Sequence, residues 1–205
     1  MPKPKEITHA KQLLVEGKDA EVFFGALIAE IGLDAVIQVQ DFGGVKDLPG
    51  FLRQFVVVSD FIQGRVDAVA IIRDAETDAR GALQSVCGAL GRAGLTVPTA
   101  AEAFEGTHPK VAVMILPDAS TRGMLETVCL SAVENDPAMP CVREYLDCVA
   151  KAGSPHPSNT EKAMLHAFLS SRPKPDLLVG QAACAGYFPW ESPAFDTMKR
   201  LLKAM

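Results

Sequence analysis

Short apolar runs alternate along most of the chain with longer stretches in which apolar residues recur every three or four positions. The short runs are rich in valine, isoleucine and leucine, and they predict four buried β-strands. These predicted strands lie at residues 11–17, 35–40, 66–78 and 109–118. The strongest is the third, VDAVAIIRDAETD, in which a continuous apolar run is followed by three acidic residues.

The longer stretches predict helices between and after the strands. Helical spacing of apolar residues is clear at 18–32, 79–95 and 123–133, and residues 46–62 are mainly helical in tendency around Pro49-Gly50. Residues 138–205 read as helical pieces separated by proline- and serine-containing loops, with no further convincing strand.

Strands that alternate with helices, and that are apolar along almost their whole length, are typical of a parallel sheet covered on both faces. The predicted fold class is therefore α/β, a mostly parallel sheet flanked by helices with a largely helical C-terminal portion. We expect a core at residues 1–135 and a helical extension at 136–205 packed on it, and a single compact domain stays open as an alternative.

Composition narrows the class of protein. The 205 residues are 48% hydrophobic and include no apolar run of about 18 residues or more, and the N-terminus has no signal-peptide-like apolar segment, so we expect a cytoplasmic protein. The five cysteines are scattered without a C-x-x-C pair, which favours reduced thiols over a disulfide framework or a zinc site. A net charge of −5 argues against a broad basic surface for nucleic acid.

Three of the four predicted strands end in acidic residues. These are Glu16 in the first, Asp74, Glu76 and Asp78 in the third, and Asp118 in the fourth. The carboxyl ends of parallel strands meet at one edge of the sheet, where ligands bind in such folds. In an extended segment Asp74 and Glu76 would point to the same side, and clustered carboxylates of this kind suit Mg²⁺ or Mn²⁺. The competing interpretation is a solvated turn, with Asp78 at the start of the next helix.

Three segments resemble the motifs of the toprim family: LLVEGKDAEVFF, DFGGVKDL and VAIIRDAETDARGAL. The resemblance covers roughly residues 11–126. It implies a glutamate after the first strand and a D-x-D pair after a later one, which together bind Mg²⁺ for phosphodiester chemistry. By that resemblance Glu16 takes the glutamate role, and Asp74 and Glu76 take the D-x-D roles. The second member of the pair is a glutamate here, which leaves the ligand set open to Asp78.

The later segment LPDASTRGMLETVCL resembles an uncharacterised small toprim family related to nucleases of the OLD (overcoming lysogenisation defect) type. That resemblance implies a further acid for a second metal ion, with Glu126 or Asp118 as candidates, and an assisting lysine, for which Lys162 is the candidate. One or two ions, Mg²⁺ or Mn²⁺, are therefore expected. The competing interpretations are an acid at a helix N-terminus for Glu126 and a solvated helix lysine for Lys162.

Phosphate contacts would come from Lys18 and from the backbone amides of Gly43 and Gly44, unless the glycine pair is only a tight turn. OLD-type nucleases usually carry an ATPase domain. The sequence has no P-loop motif, so the chain either acts alone or meets an ATPase in trans.

The expected function is a metal-dependent nuclease acting on DNA or RNA, in which Glu16, Asp74, Glu76 and Lys162 are catalytic. One alternative is a non-catalytic toprim-like module that binds nucleic acid or protein. A second is a receiver domain with Asp74 as phosphoacceptor, but receiver domains need a later strand ending in lysine, which the sequence does not offer.

Overall fold

The sheet has four parallel strands in the spatial order β2-β1-β3-β4 in the computed structural model, which describes residues 2–205. The strands are β1 (Lys11–Val15), β2 (Ile37–Asp41), β3 (Ala68–Asp74) and β4 (Lys110–Leu116). The prediction of an α/β fold built on a parallel sheet is confirmed.

Nine α-helices among the described residues flank or follow these strands. They are α1 (Lys18–Glu30), α2 (Leu48–Phe55), α3 (Ser59–Ile62), α4 (Ala79–Arg92), α5 (Leu125–Ala132), α6 (Met139–Lys151), α7 (Thr160–Ser170), α8 (Val179–Cys184) and α9 (Asp196–Ala204). A short 3-10 helix, Pro193–Phe195, precedes α9. The predicted helical character of residues 138–205 is confirmed.

Alternate side chains of β1, β3 and β4 enter two different hydrophobic cores, because successive residues of a strand point to opposite faces. Leu13 and Ile72 belong to the first core, which also holds α1, α5 and the C-terminal helices. Leu14 and Ile71 belong to the second core, with α2 and α4. Both faces are covered, which explains the long apolar runs of β3 and β4.

The C-terminal portion packs on the first core through aromatic side chains. Phe23 of α1 contacts the rings of Phe188, Trp190 and Phe195, with ring centroids 5.4 to 6.0 Å apart. Residues 136–205 thus share one core with the sheet, while the boundary at residue 135 stays a prediction. No helix within residues 2–205 is long and apolar enough to cross a membrane.

The strand order places a topological switch point between β1 and β3. From β1 the chain moves to β2 on one side, and it later crosses to β3 on the other side of β1. In open α/β sheets the crevice beyond the carboxyl ends of two such strands is where ligands bind. Glu16 follows β1 and Asp74 ends β3, so both acids lie at this point.

Candidate metal centre

Glu16 lies directly after β1, on the face of the sheet that carries the second core. Its side chain is only 19% exposed, and its Oε2 lies 3.6 Å from Nε of Arg73. Neither of these two buried atoms has a hydrogen-bond partner. Burial raises the pKa of Glu16, and the nearby Glu76 raises it further, whereas Arg73, a backbone hydrogen bond from Val45 and Lys162 act in the opposite direction.

Asp74 is the last residue of β3 and points toward the first core, since it alternates with Arg73. Its Oδ1 accepts a hydrogen bond from the backbone N–H of Leu125, at 3.0 Å. Burial, together with the negative charges of Glu126, Glu16 and Glu76, raises the pKa of Asp74 from 3.8 to about 7. Asp74 therefore keeps its proton to a higher pH than an ordinary aspartate when no cation is bound.

Glu76 is exposed and lies beyond the end of β3. Its backbone has a φ of 54° and forms an isolated antiparallel bridge with Gly123, with N···O distances of 2.8 and 2.9 Å. The strand therefore does not continue in extended form from Asp74 to Glu76, and the pairing with the loop before α5 turns the chain. The Glu76 carboxylate nevertheless acts electrostatically on both Glu16 and Asp74.

Glu126 comes to the same place from the first turn of α5. Its carboxylate is 13% exposed and pairs with Nζ of Lys162 of α7, at 3.5 Å. Packing of α5 against α7 holds this pair, and the hydroxyl of Thr127 donates a hydrogen bond to Glu161 across the same contact. Lys162 also lowers the pKa of Glu16, which places its charge near the end of β1.

We call Glu16, Asp74, Glu76 and Glu126 the acidic cluster. Two cationic side chains, Arg73 and Lys162, accompany these four carboxylates. The cluster keeps a net negative charge that one divalent cation would balance. Within residues 2–205, however, no three histidine, cysteine, aspartate or glutamate side chains are arranged so that they could hold a metal ion without rearrangement.

Two other predicted ligands, Asp78 and Asp118, accept hydrogen bonds from residues that directly follow them in the sequence. Asp78 is the N-cap of α4, and its carboxylate accepts a hydrogen bond from the backbone N–H of Gly81 at 2.9 Å. Asp118 accepts hydrogen bonds from the backbone N–H and the hydroxyl of both Ser120 and Thr121, at 2.6 to 2.8 Å. These bonds lower the pKa of Asp118 to about 2. We therefore leave both residues out of the proposed ligand set.

The predicted phosphate contacts also have other partners. Nζ of Lys18 donates a hydrogen bond to Glu21 at 2.5 Å, although the lysine is exposed. The backbone N–H of Gly43 donates to Asp41 and that of Gly44 donates to Asp47, at 2.6 and 3.2 Å. Both amides already serve carboxylates of their own turn, so we do not assign them to phosphate.

Arg73 was missed by sequence reasoning, although a signal existed. Arg73 is the only charged residue in the run AVAIIR, which directly precedes Asp74. A charged residue in a buried strand is uncommon without a partner. The partner, Glu16, belongs to a distant part of the sequence, and only the pairing of β1 with β3 brings the two together.

Comparison with known proteins identifies a family, but the function of that family is unknown. The model of one family, described as a protein of unknown function (DUF3226), matches residues 10–205. No curated protein and no solved structure matches the chain.

Proposed function

We propose that this chain, which belongs to the DUF3226 family of proteins of unknown function, performs divalent-metal-dependent phosphodiester chemistry on nucleic acid as a toprim-type nuclease. The observation that carries the proposal is the acidic cluster at the switch point between β1 and β3. Its clearest mark is Asp74, whose pKa of about 7 results from burial among other carboxylates. Perturbed carboxylates of this kind gather at functional sites.

The donor chemistry fits Mg²⁺ or Mn²⁺. All four members of the cluster offer carboxylate oxygens, which these ions prefer. Glu16 Oε2 is buried without a hydrogen-bond partner, so it keeps an unsatisfied acceptor that a cation would satisfy. Binding requires side-chain rearrangement, because no three acids within residues 2–205 are set to hold an ion as they stand, and the exposed Glu76 has room for it.

In this proposal Glu16, Asp74 and Glu76 hold the ion, and Glu126 adds a fourth carboxylate. The bound ion would stabilise the negative charge that develops on the phosphoryl oxygens. Asp74 gives up its proton when a cation arrives, since a positive charge favours the ionised carboxylate. Lys162, held next to Glu126, supplies a positive charge for a phosphate group of the substrate.

The alternative is a toprim-like module that binds nucleic acid or protein without turnover. The arrangement of the acids, which does not form a ready-made ion site among residues 2–205, favours this alternative. The net charge of −5 is compatible with a module that binds protein. An ATPase partner in trans is compatible with either function.

A Mn²⁺ titration followed by cleavage assays tests the proposal. Calorimetry would measure Mn²⁺ binding to the wild type, Glu16→Ala and Asp74→Ala, with Asp118→Ala as the matched control at a neighbouring strand end. Single- and double-stranded DNA and RNA would then be incubated with each protein and Mn²⁺.

We expect the wild type and Asp118→Ala to bind Mn²⁺ and to cleave at least one substrate, and Glu16→Ala and Asp74→Ala to bind Mn²⁺ measurably but much more weakly and to cleave none. Metal binding without cleavage would favour the binding module. No binding of Mn²⁺ by the wild type at millimolar concentration would overturn the metal site and the nuclease together.

A further inference from the structure

Arg73 is buried in the interior of the fold, next to the acidic cluster. It is the sixth residue of the seven-residue strand β3, and only 9% of its surface is exposed. Removing a guanidinium group from water costs several kcal/mol unless hydrogen bonds and an opposite charge compensate it. The contacts of Arg73 therefore indicate what the residue does.

One end of the guanidinium group is fixed and the other is not. Nη1 donates a hydrogen bond to the backbone carbonyl of Ala82 in α4, at 3.3 Å. Nε, in contrast, has no hydrogen-bond partner. The group to which it lies close is Glu16, whose Oε2 is 3.6 Å away and also lacks a partner.

The distance of 3.6 Å fits an ion pair but exceeds an N–H···O hydrogen bond, which is about 2.7 to 3.2 Å long. The pair therefore restrains the Glu16 carboxylate by charge and leaves its Oε2 free of hydrogen bonds. This geometry suits a carboxylate that must stay in place and remain open to another partner.

We propose that Arg73, anchored on α4 through Ala82, is a positioning residue that holds the Glu16 carboxylate at the carboxyl end of β1 for a divalent cation. This inference rests on the function proposed above and gives a role to a residue for which the toprim resemblance implied none. The planar fork of arginine reaches Ala82 with one nitrogen and Glu16 with another, which the single ammonium group of lysine does not reproduce.

Arg73→Met and Arg73→Lys test the inference by calorimetric Mn²⁺ binding. Arg65→Met is the matched control, because Arg65 forms an exposed pair with Asp60 at 2.6 Å. We expect Arg73→Met to weaken Mn²⁺ affinity about 10- to 100-fold, as loss of a group that orients a metal ligand does. Arg73→Lys keeps the charge but loses the fork, so its affinity should fall between those of the wild type and Arg73→Met.

A double-mutant cycle separates positioning from general structural support. When Glu16→Gln has already removed the ligand, adding Arg73→Met should weaken Mn²⁺ binding no further, because the two residues act as one unit. If Arg73→Met alone does not fold, Arg73→Lys, compared in the presence and absence of Glu16→Gln, supplies the same cycle.

Three results would count against the inference. Unchanged or tighter Mn²⁺ binding by Arg73→Met would show that Arg73 does not hold Glu16 for the cation. Losses that simply add in the double variant would show that Arg73 acts independently of Glu16. If the wild type did not bind Mn²⁺, both the proposed function and the positioning role of Arg73 would be overturned. If the wild type bound Mn²⁺ and Arg73→Met bound it equally well, only this inference would be overturned.

Discussion

Asp74 and Asp118 both lie at the carboxyl ends of neighbouring parallel strands, but they have opposite electrostatic properties. Asp74 pairs in register with Leu116 of β4, and Asp118 lies only two residues beyond that leucine. Asp74 accepts one backbone hydrogen bond among other carboxylates, and its pKa rises to about 7. Asp118 accepts four hydrogen bonds, and its pKa falls to about 2.

The difference shows that an acid at a strand end is not by itself a sign of a metal site. What matters is whether nearby donors already satisfy the carboxylate. Ser120 and Thr121 follow Asp118 at the spacing of a side-chain-capped turn, and they leave its charge stabilised without a cation. Thr77 follows Asp74 at the spacing of Thr121 from Asp118, but among residues 2–205 the hydrogen bond to Asp74 comes from the backbone of Leu125. Asp74 is surrounded by negative charge, so a cation would stabilise its ionised form.

The largest expected effect is on the stability of the metal-free protein as a function of pH. The folded state binds the Asp74 proton more tightly than the unfolded state, whose pKa is near 3.8. The free energy of unfolding is therefore unaffected by Asp74 below about pH 4, falls as the pH rises toward 7, and stays at the lower value above pH 7. The loss amounts to about 4 kcal/mol at most, from a shift of about three pKa units.

Asp74→Asn should remove this pH dependence, because asparagine can still accept the Leu125 hydrogen bond but carries no charge. Urea unfolding in the presence of a chelator at pH 4, 6 and 8 measures it. We expect Asp74→Asn to be more stable than the wild type at pH 8 and similar to it at pH 4. Parallel pH curves for the two proteins would contradict the raised pKa.

The second effect is stabilisation by metal. Mn²⁺ at 100 times its dissociation constant should raise the free energy of unfolding of the wild type at pH 8 by about 2.7 kcal/mol, if only the folded state binds it. Asp74→Asn should lose this gain, and Asp118→Asn should keep it. Thermal unfolding with and without Mn²⁺ measures the difference, and an equal gain in all three proteins would place the ion elsewhere.

The third effect is the contribution of Asp118 to the pH dependence of stability, which is smaller than that of Asp74 and has the opposite sign. The lowered pKa of Asp118 stabilises the folded protein above about pH 4, and this contribution is lost as pH falls toward 2. Because Asp118 lies in an exposed turn, solvent screening limits the contribution to about 1 kcal/mol or less. Asp118→Asn should lower stability by that amount at pH 7 in urea unfolding. A gain in stability would contradict the turn assignment.

The smallest effect tests the cause of the low pKa of Asp118. Removing the hydroxyl donors in Ser120→Ala and Thr121→Ala should raise the pKa of Asp118 from about 2 toward 3.8, since two of its four hydrogen bonds disappear. An NMR titration of the Asp118 carboxyl carbon measures the shift, with Asp74 followed in the same spectra as a control that should not change. An unchanged pKa would assign the effect to the backbone donors alone.

The elements of the fold were predictable because the signal for each is local. The apolar run before Asp74 specifies a strand, and the spacing in residues 79–95 specifies the helix that follows it. Asp78 is also a local case, because its role as N-cap depends only on the residues after it. Asp19 is not a local case. Its carboxylate accepts hydrogen bonds from the backbone N–H groups of Val179 and Gly180 at the start of α8, and not from the start of its own helix.

By itself, the sequence determined the class of the fold, the strands and the acids that follow them, because hydrophobic periodicity is set by neighbouring residues. The tertiary structure decided which acids meet. It brought Glu16 and Asp74 to the same edge of the sheet through the pairing of β1 with β3, added Glu126 with Lys162 from distant helices, and set Arg73 against Glu16. The physical reason is that burial and Coulomb interactions depend on distance in space, so the charge balance of the acidic cluster exists only after the sheet and its helices have packed together.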